Sequence, residues 1–268
     1  MNLLSIETST EFCSLAVCRG DVVSAMHFPA AQRHGETVLE SMRQLLVEAG
    51  LELADLDGIA FGQGPGSFTG LRIACGVTQG LALALSIPVK GIGTLLAVAE
   101  ASGADKVIAC LDARMGEVYH AVYRRDAASR WVELVAPGLY SPDALPGVDG
   151  DGWTACGTGF GAHAAVLAER IGRAKIAATL AQAQPTARAV LALAKPLFEA
   201  GAGEDAAMAL PVYLRDKVAL TEIERAAQRG VQRGVQREGQ REGQREGQGE
   251  GQRNVPPASA INAGVKAR

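Results

Sequence analysis

The sequence predicts an α/β protein of two similar lobes with mixed sheets, followed by a low-complexity tail. Three observations carry this prediction. Short apolar runs ordered as three strands, a helix, a strand and a helix fill residues 1–104, and the same order restarts at 105. Each half contains a glycine-rich turn that leads from a strand into a helix. From Gln228 a four-residue period of Gln, Arg, Glu and Gly replaces the apolar pattern.

The first half opens with "LLSIETS", "CSLAVCRG" and "DVVSAMHFP", three short apolar runs spaced as a meander of strands. In "HGETVLESMRQLLVEAG" the apolar residues fall at Val38, Leu39, Met42, Leu45, Leu46 and Ala49, a helical spacing, with Gly50 placed to stop it. "DGIAFGQ" reads as a strand, Leu71 to Ser86 as a helix, "PVKGIGT" as a strand and "LLAVAEAS" as a short helix. In the second half (105–223), "KVIACLDAR", "EVYHAVYRR" and "WVELVAPGLYS" are strands. "GDGWTACGTGFG" runs from strand into glycine turn, and "AHAAVLAERI" is a helix. "PTARAVLALAKPLFEAG" is a further helix, with Pro185 and Thr186 at its start and Gly201 at its end. Residues 224–268 form the tail; almost nothing in its repeat can bury, and glycine opposes a helix, so disorder is expected.

Charge is split between these parts. The tail holds nine Lys/Arg and five Asp/Glu, whereas residues 1–223 hold 17 and 24, a net of −7. An acidic body binds nucleic acid poorly by itself, because affinity for phosphates comes from clustered Lys and Arg. The tail reads either as a basic arm touching RNA or as a tolerated repeat expansion, and its interspersed glutamates favour the second. No run approaches the roughly 18 uninterrupted apolar residues of a membrane span, so no membrane is expected. "MNLLSIETST" has the pattern of a buried strand and not of a signal peptide. Five scattered cysteines without a CxxC pair predict reduced cytosolic thiols, with neither a disulfide framework nor a zinc site.

The stretch "FGQGPGSFTGLRIACG" resembles a phosphate-binding loop until Gly70, where Leu71 and Arg72 stand in place of the Lys that GxxxxGK[ST] requires. The following helix carries Gly76, Gly80 and Ala84 at four-residue spacing beside Cys75, Thr78 and Gln79. Small residues on one face let a second helix approach closely; the alternative is that this stripe packs inside its own lobe. Helix 36–49 offers two apolar stripes, Val38/Met42/Leu45/Ala49 and Leu39/Leu46, more than one sheet face requires. The two helices are therefore expected to form a docking surface of His34, Val38, Met42, Leu45, Leu71, Arg72, Cys75, Gly76, Gln79 and Gly80. Remnants of a nucleotide site are possible at Glu7, Thr8, Ser9 and Thr10 and at Gly157 and Gly159, where hydroxyls or bare backbone could approach phosphate. A plain turn explains the same residues. The four histidines are dispersed, so no metal site and no catalytic residue is expected, and His34 is read as a helix-start or interface residue.

At "IETST", "GPGSFTGLR" and "PVYLRDKVA" the chain resembles the TsaB (YeaZ-like) family over residues 1 to about 220. The resemblance implies two lobes of the actin/Hsp70/sugar-kinase (ASKHA) type. It also implies a cytoplasmic, non-catalytic subunit paired with a TsaD-like catalytic subunit through a four-helix bundle. That subunit holds a metal and transfers threonylcarbamoyl to N6 of adenosine 37 in ANN-decoding tRNAs. A TsaE-like ATPase joins the complex, which uses ATP and Mg; this chain alone is expected to bind no cofactor tightly and to reach tRNA only indirectly, and when free it is either a monomer or a homodimer paired through the same face. In the catalytic relative a His-x-x-x-His pair follows the strand that here reads "PVKGIG", and Thr94 and Val98 occupy those positions. The alternatives are a stand-alone metal-dependent glycoprotease-like hydrolase and a sugar-kinase-like phosphotransferase.

Overall fold

A computed structural model describes residues 1–30 and 34–215; the tail expected from residue 224 lies outside the described residues. Two five-stranded sheets form the frame. The first contains β1 (Asn2–Glu7), β2 (Phe12–Arg19), β3 (Val22–Pro29), β4 (Gly58–Gly64) and β5 (Val89–Gly93) in the order β3-β2-β1-β4-β5. The second contains β6 (Lys106–Asp112), β7 (Val118–Arg125), β8 (Trp131–Tyr140), β9 (Trp153–Cys156) and β10 (Ile176–Leu180) in the order β10-β9-β6-β7-β8. In each, the first three strands pair antiparallel and the last two add in parallel to the first. Read from β6, the second sheet repeats the order of the first, as the duplicated sequence pattern predicts, and the whole is a two-lobed ASKHA-like α/β fold.

The helices complete the layers. α1 (His34–Ala49) and α2 (Phe68–Leu85) cover one face of the first sheet. There Val38, Met42, Leu45, Leu46, Ala74, Cys75 and Ala82 pack on Leu4, Ile6, Leu15, Ile59 and Phe61. α2 is long and apolar enough to cross a bilayer by length and composition, with a mean hydropathy of 1.3, although the sequence was expected to hold no such segment. Its buried side instead belongs to this core. α3 (Thr94–Ala101) lies between the sheets, placing Ala97 in the core of the first and Leu95, Val98 and Ala99 in that of the second. On the far face of the second sheet are α4 (Gly159–Ala162) and α5 (Ala164–Ile171).

α6 (Ala187–Glu199) departs from sequence order. Although it follows all the strands of the second sheet, its buried stripe of Ala187, Val190, Leu191, Ala194 and Phe198 packs on Leu3, Ala16 and Ala60 of the first. Ser5 Oγ donates to Ala187 O (2.6 Å) and Ala187 N donates to Ser14 Oγ (2.9 Å), which fixes the start of the helix. The Thr186 side chain caps it by accepting from Ala189 N. The second half also lacks a counterpart of α1: a three-residue 3₁₀ turn, Pro142–Ala144, connects β8 to β9. β10 shows no apolar alternation in its sequence because four of its five residues are exposed.

His120 on β7 is fully buried opposite Cys110, with Nδ1 placed 3.2 Å from Ala109 O and Nε2 without a partner. Burial pushes its pKa down from 6.5 to about 4. The folded chain therefore holds a neutral imidazole, while the unfolded chain takes up a proton below pH 6.5. Stability is expected to fall as pH drops from 6.5 towards 4, by on the order of 3 kcal/mol. Urea titrations across this range check it, and His120→Leu should flatten the dependence.

Candidate functional site

The glycine-rich connection between β4 and α2 is shaped by the chain's own backbone. Ser67 N donates to Ser9 O (2.7 Å) and Thr8 Oγ1 donates to Gly70 O (2.8 Å), so the β1–β2 turn lies directly on the loop. A Cβ at Gly66 would sit 2.5 Å from Ser9 O, and one at Gly70 would fall closer than that to Thr8 O. Gly64 is tied from another side: Val212 N donates to Gln63 O (2.7 Å), and Val212 O lies 2.5 Å from where a Gly64 Cβ would be. Close approach of the chain accounts for these glycines. The loop then delivers Ser67, whose side chain caps α2 by accepting from Gly70 N.

Near β1, where remnants of a nucleotide site and a plain turn were both open readings, the packing has the character of the turn. Glu7, Thr8 and Ser9 are 1%, 0% and 2% exposed, so neither their hydroxyls nor the carboxyl faces solvent. Thr10 is half-buried, and its Oγ1 accepts from Phe12 N. Gly157 and Gly159 are likewise explained by packing: side chains there would strike the carbonyl or sulfur of Cys110. Thr94 and Val98 are fully buried in the core, and among the described residues no three His, Cys, Asp or Glu converge as a metal site would require.

Glu7 has a structural role instead. Its Oε1 accepts from Ser9 N (2.6 Å), while Oε2 has no hydrogen-bond partner and lies against Gly62, where a Cβ would displace it. Burial raises the Glu7 pKa above 4.5, and the Ser9 hydrogen bonds oppose this only in part. A raised acid favours the fold while it is neutral, so its contribution is complete below the unfolded pKa and is lost as pH rises through the folded value. Glu7→Gln keeps the shape and cannot ionise. It is expected to gain stability over the parent as pH rises from 5 to 8, measured by chemical denaturation; a growing loss would contradict the assignment.

The predicted docking face is divided by the fold. Val38, Met42, Leu45, Leu71 and Cys75 are between 0% and 5% exposed and face the lobe's own core. These five leave the docking surface. The row Val38/Met42/Leu45 was assigned outward, but covering the sheet face consumes it together with Leu46. Arg72, Gly76 and Gly80 are exposed and Gln79 is half-exposed, while His34 opens α1. A Cβ at Gly76 or Gly80 would meet nothing within 4 Å.

The exposed stripe of α2 runs through Thr69, Arg72, Gly76, Gly80, Leu83 and Ala84. Leu39 and Val47 of α1 and Leu83 of α2 are also exposed, at 49%, 73% and 73%. Sequence spacing missed Leu39, Val47 and Leu83 as surface residues because in a periodicity plot they are indistinguishable from core. At the N-terminal end of the stripe, Arg72 stacks over Phe68 (3.7 Å to the ring centroid) and its Nε donates to Tyr213 Oη (3.0 Å). Tyr213 packs against Phe68 at 5.4 Å between ring centroids. The arrangement offers a small-residue helix face, exposed aliphatic side chains on α1 and α2, and an aromatic–arginine group at one end, chemistry suited to packing.

Comparison with known proteins gives a consistent set of similarities. A family model described as "TsaD: tRNA N6-adenosine threonylcarbamoyltransferase" matches residues 28–223. The tRNA threonylcarbamoyladenosine biosynthesis protein TsaB of Escherichia coli K12 is 36% identical over 233 residues, covering 82% of this chain and 96% of that protein. Its counterpart from Haemophilus influenzae is 33% identical over 230 residues, covering 81% and 95%. The solved structure of YeaZ from Pseudomonas aeruginosa superposes with a TM-score of 0.72 at 37% identity, covering 80% of this chain and 99% of that chain.

Proposed function

The chain belongs to the TsaB (YeaZ-like) family, and from that premise we propose that it serves in the synthesis of threonylcarbamoyladenosine in tRNA as a non-catalytic scaffold. It binds a TsaD-like catalytic subunit in the cytoplasm, and that subunit carries the metal and the transfer chemistry. The observation that carries this reading is the exposed stripe of α2, where Gly76 and Gly80 leave backbone open to a second helix, together with the exposed Leu39, Val47 and Leu83. The buried Thr94 and Val98, standing where the catalytic relative has its histidines, support a supporting role over a catalytic one. A TsaE-like ATPase and tRNA join through the assembled complex, as do ATP and Mg. When no partner is present, a second copy of the chain occupies the same face.

Purification of the chain from native cells, with identification of what co-purifies, tests this reading. A TsaD-like protein in stoichiometric amount is the expected result. Metal-dependent hydrolysis by the purified chain alone, or tight Mg·ATP binding by it, would overturn it.

A further inference from the structure

The two lobes treat their equivalent sheet edges differently. β5, the outer parallel strand of the first sheet, is covered: Val89 N donates to Glu204 O and Glu204 N donates to Val89 O, both at 2.9 Å. Lys90 Nζ pairs with the Glu204 carboxylate at 2.5 Å beside this bridge. β10 holds the same place in the second sheet, and among the described residues it pairs with β9 alone. One row of its backbone N–H and C=O groups therefore lacks a strand partner, a feature that proteins usually cover.

A groove of about 390 Å³ lies against this edge. Ala164, Ala165 and Ala168 of α5 form one wall, Ile176 and Thr179 of β10 the other, and Phe160 contributes to the lining. The irregular register between Ile176 and Ala178 lets Ile176 and Thr179 line the same side despite their odd spacing. The three alanines give a shallow wall with room for the side chains of another chain. Arg173 lies at the end where β10 begins; it is exposed and forms no ion pair among the described residues, whereas nearby Lys175 donates to Val148 O (2.6 Å).

We propose that the open edge of β10 and this groove receive an extended segment of another protein, carrying an Asp or Glu side chain at the end next to Arg173. The unpaired edge selects an extended backbone, because only a strand satisfies a row of alternating donors and acceptors. The alanine wall selects small or β-branched side chains at alternate positions, and the guanidinium selects the carboxylate. The chain's own tail is disfavoured by its net positive charge, which would oppose Arg173. This surface lies on the second lobe, and the inference stands independently of the scaffold reading.

The test uses the full chain and a phage library displaying random octapeptides at the coat protein's N-terminus, so that no free peptide C-terminus is present. Enriched sequences are expected to hold an acidic residue at one fixed end and alternating small or β-branched residues. Their affinity should fall at least tenfold for Arg173→Glu and for Ala165→Trp, both at exposed positions. Peptides remade with Lys in place of the acid should regain binding to Arg173→Glu. Hydrogen exchange at residues 176–180 should slow when peptide is added. Three results would overturn the proposal: no enrichment, equal binding to both variants, or protection of β10 in the free chain by self-association in sedimentation.

Discussion

Gly76→Leu is expected to weaken binding to the TsaD-like subunit by roughly ten- to a hundredfold or more while leaving the free chain at least as stable as the parent. A side chain at Gly76 meets no atom within 4 Å, so the fold accommodates it. Replacing an exposed glycine inside a helix also removes about 1 kcal/mol of backbone penalty. At an interface where helices touch, the same side chain wedges them apart. The misfit costs at least the ~1–3 kcal/mol of overpacking, which is roughly one to two decades in affinity. Titration calorimetry and thermal melts on one preparation separate the two effects. Normal binding would show that the stripe is not the interface, and a lowered melting temperature would place Gly76 in the lobe's core.

Gly70→Ala is expected to do the opposite, removing stability before any partner is considered. Gly70 is buried, and an added Cβ would overlap the carbonyl oxygen of Thr8. That atom is backbone, held in a turn where Thr8 Oγ1 already donates to Gly70 O. The clash can be relieved only by separating the β1–β2 turn from the start of α2. The cost is expected to reach or exceed the upper end of the ~1–3 kcal/mol range for overpacking. Urea unfolding of the purified variant measures it; a loss below 1 kcal/mol would show that the two loops are not locked together. Paired with Gly76→Leu, it separates the two kinds of glycine in this short segment, one shaping the fold and one opening a surface.

Much of the architecture was legible because it rests on local signals. The strand-rich openings of both halves, the glycine stops at Gly50 and Gly201 and the Thr186 cap are set by residues close in sequence. Both glycines adopt positive φ, at 66° and 72°. The return of α6 to the first sheet was not legible, since its apolar stripe fits either sheet and only the spatial order of the layers assigns it. β10 was missed for a related reason: an exposed edge strand lacks the alternation that marks burial. On α2, the exposed glycine stripe was recognisable from spacing. The apolar row of α1 was assigned to the wrong side, because an isolated helix does not reveal how much of its surface the sheet beneath will cover. The missing Lys after Gly70 marked the glycine loop as a shaping turn, but only three-dimensional contact shows that it is shaped against the backbone of Thr8, Ser9 and Val212.

The most direct test of the scaffold claim is threonylcarbamoyl transfer to tRNA reconstituted from this chain, a TsaD-like subunit and the threonylcarbamoyl adenylate donor. Each protein is assayed alone and together. The account predicts no transfer by this chain alone, full transfer only when both are present, and loss of that transfer with Gly76→Leu in proportion to its lost binding. Transfer by this chain without the partner, or undiminished transfer by the partner without this chain, would contradict it.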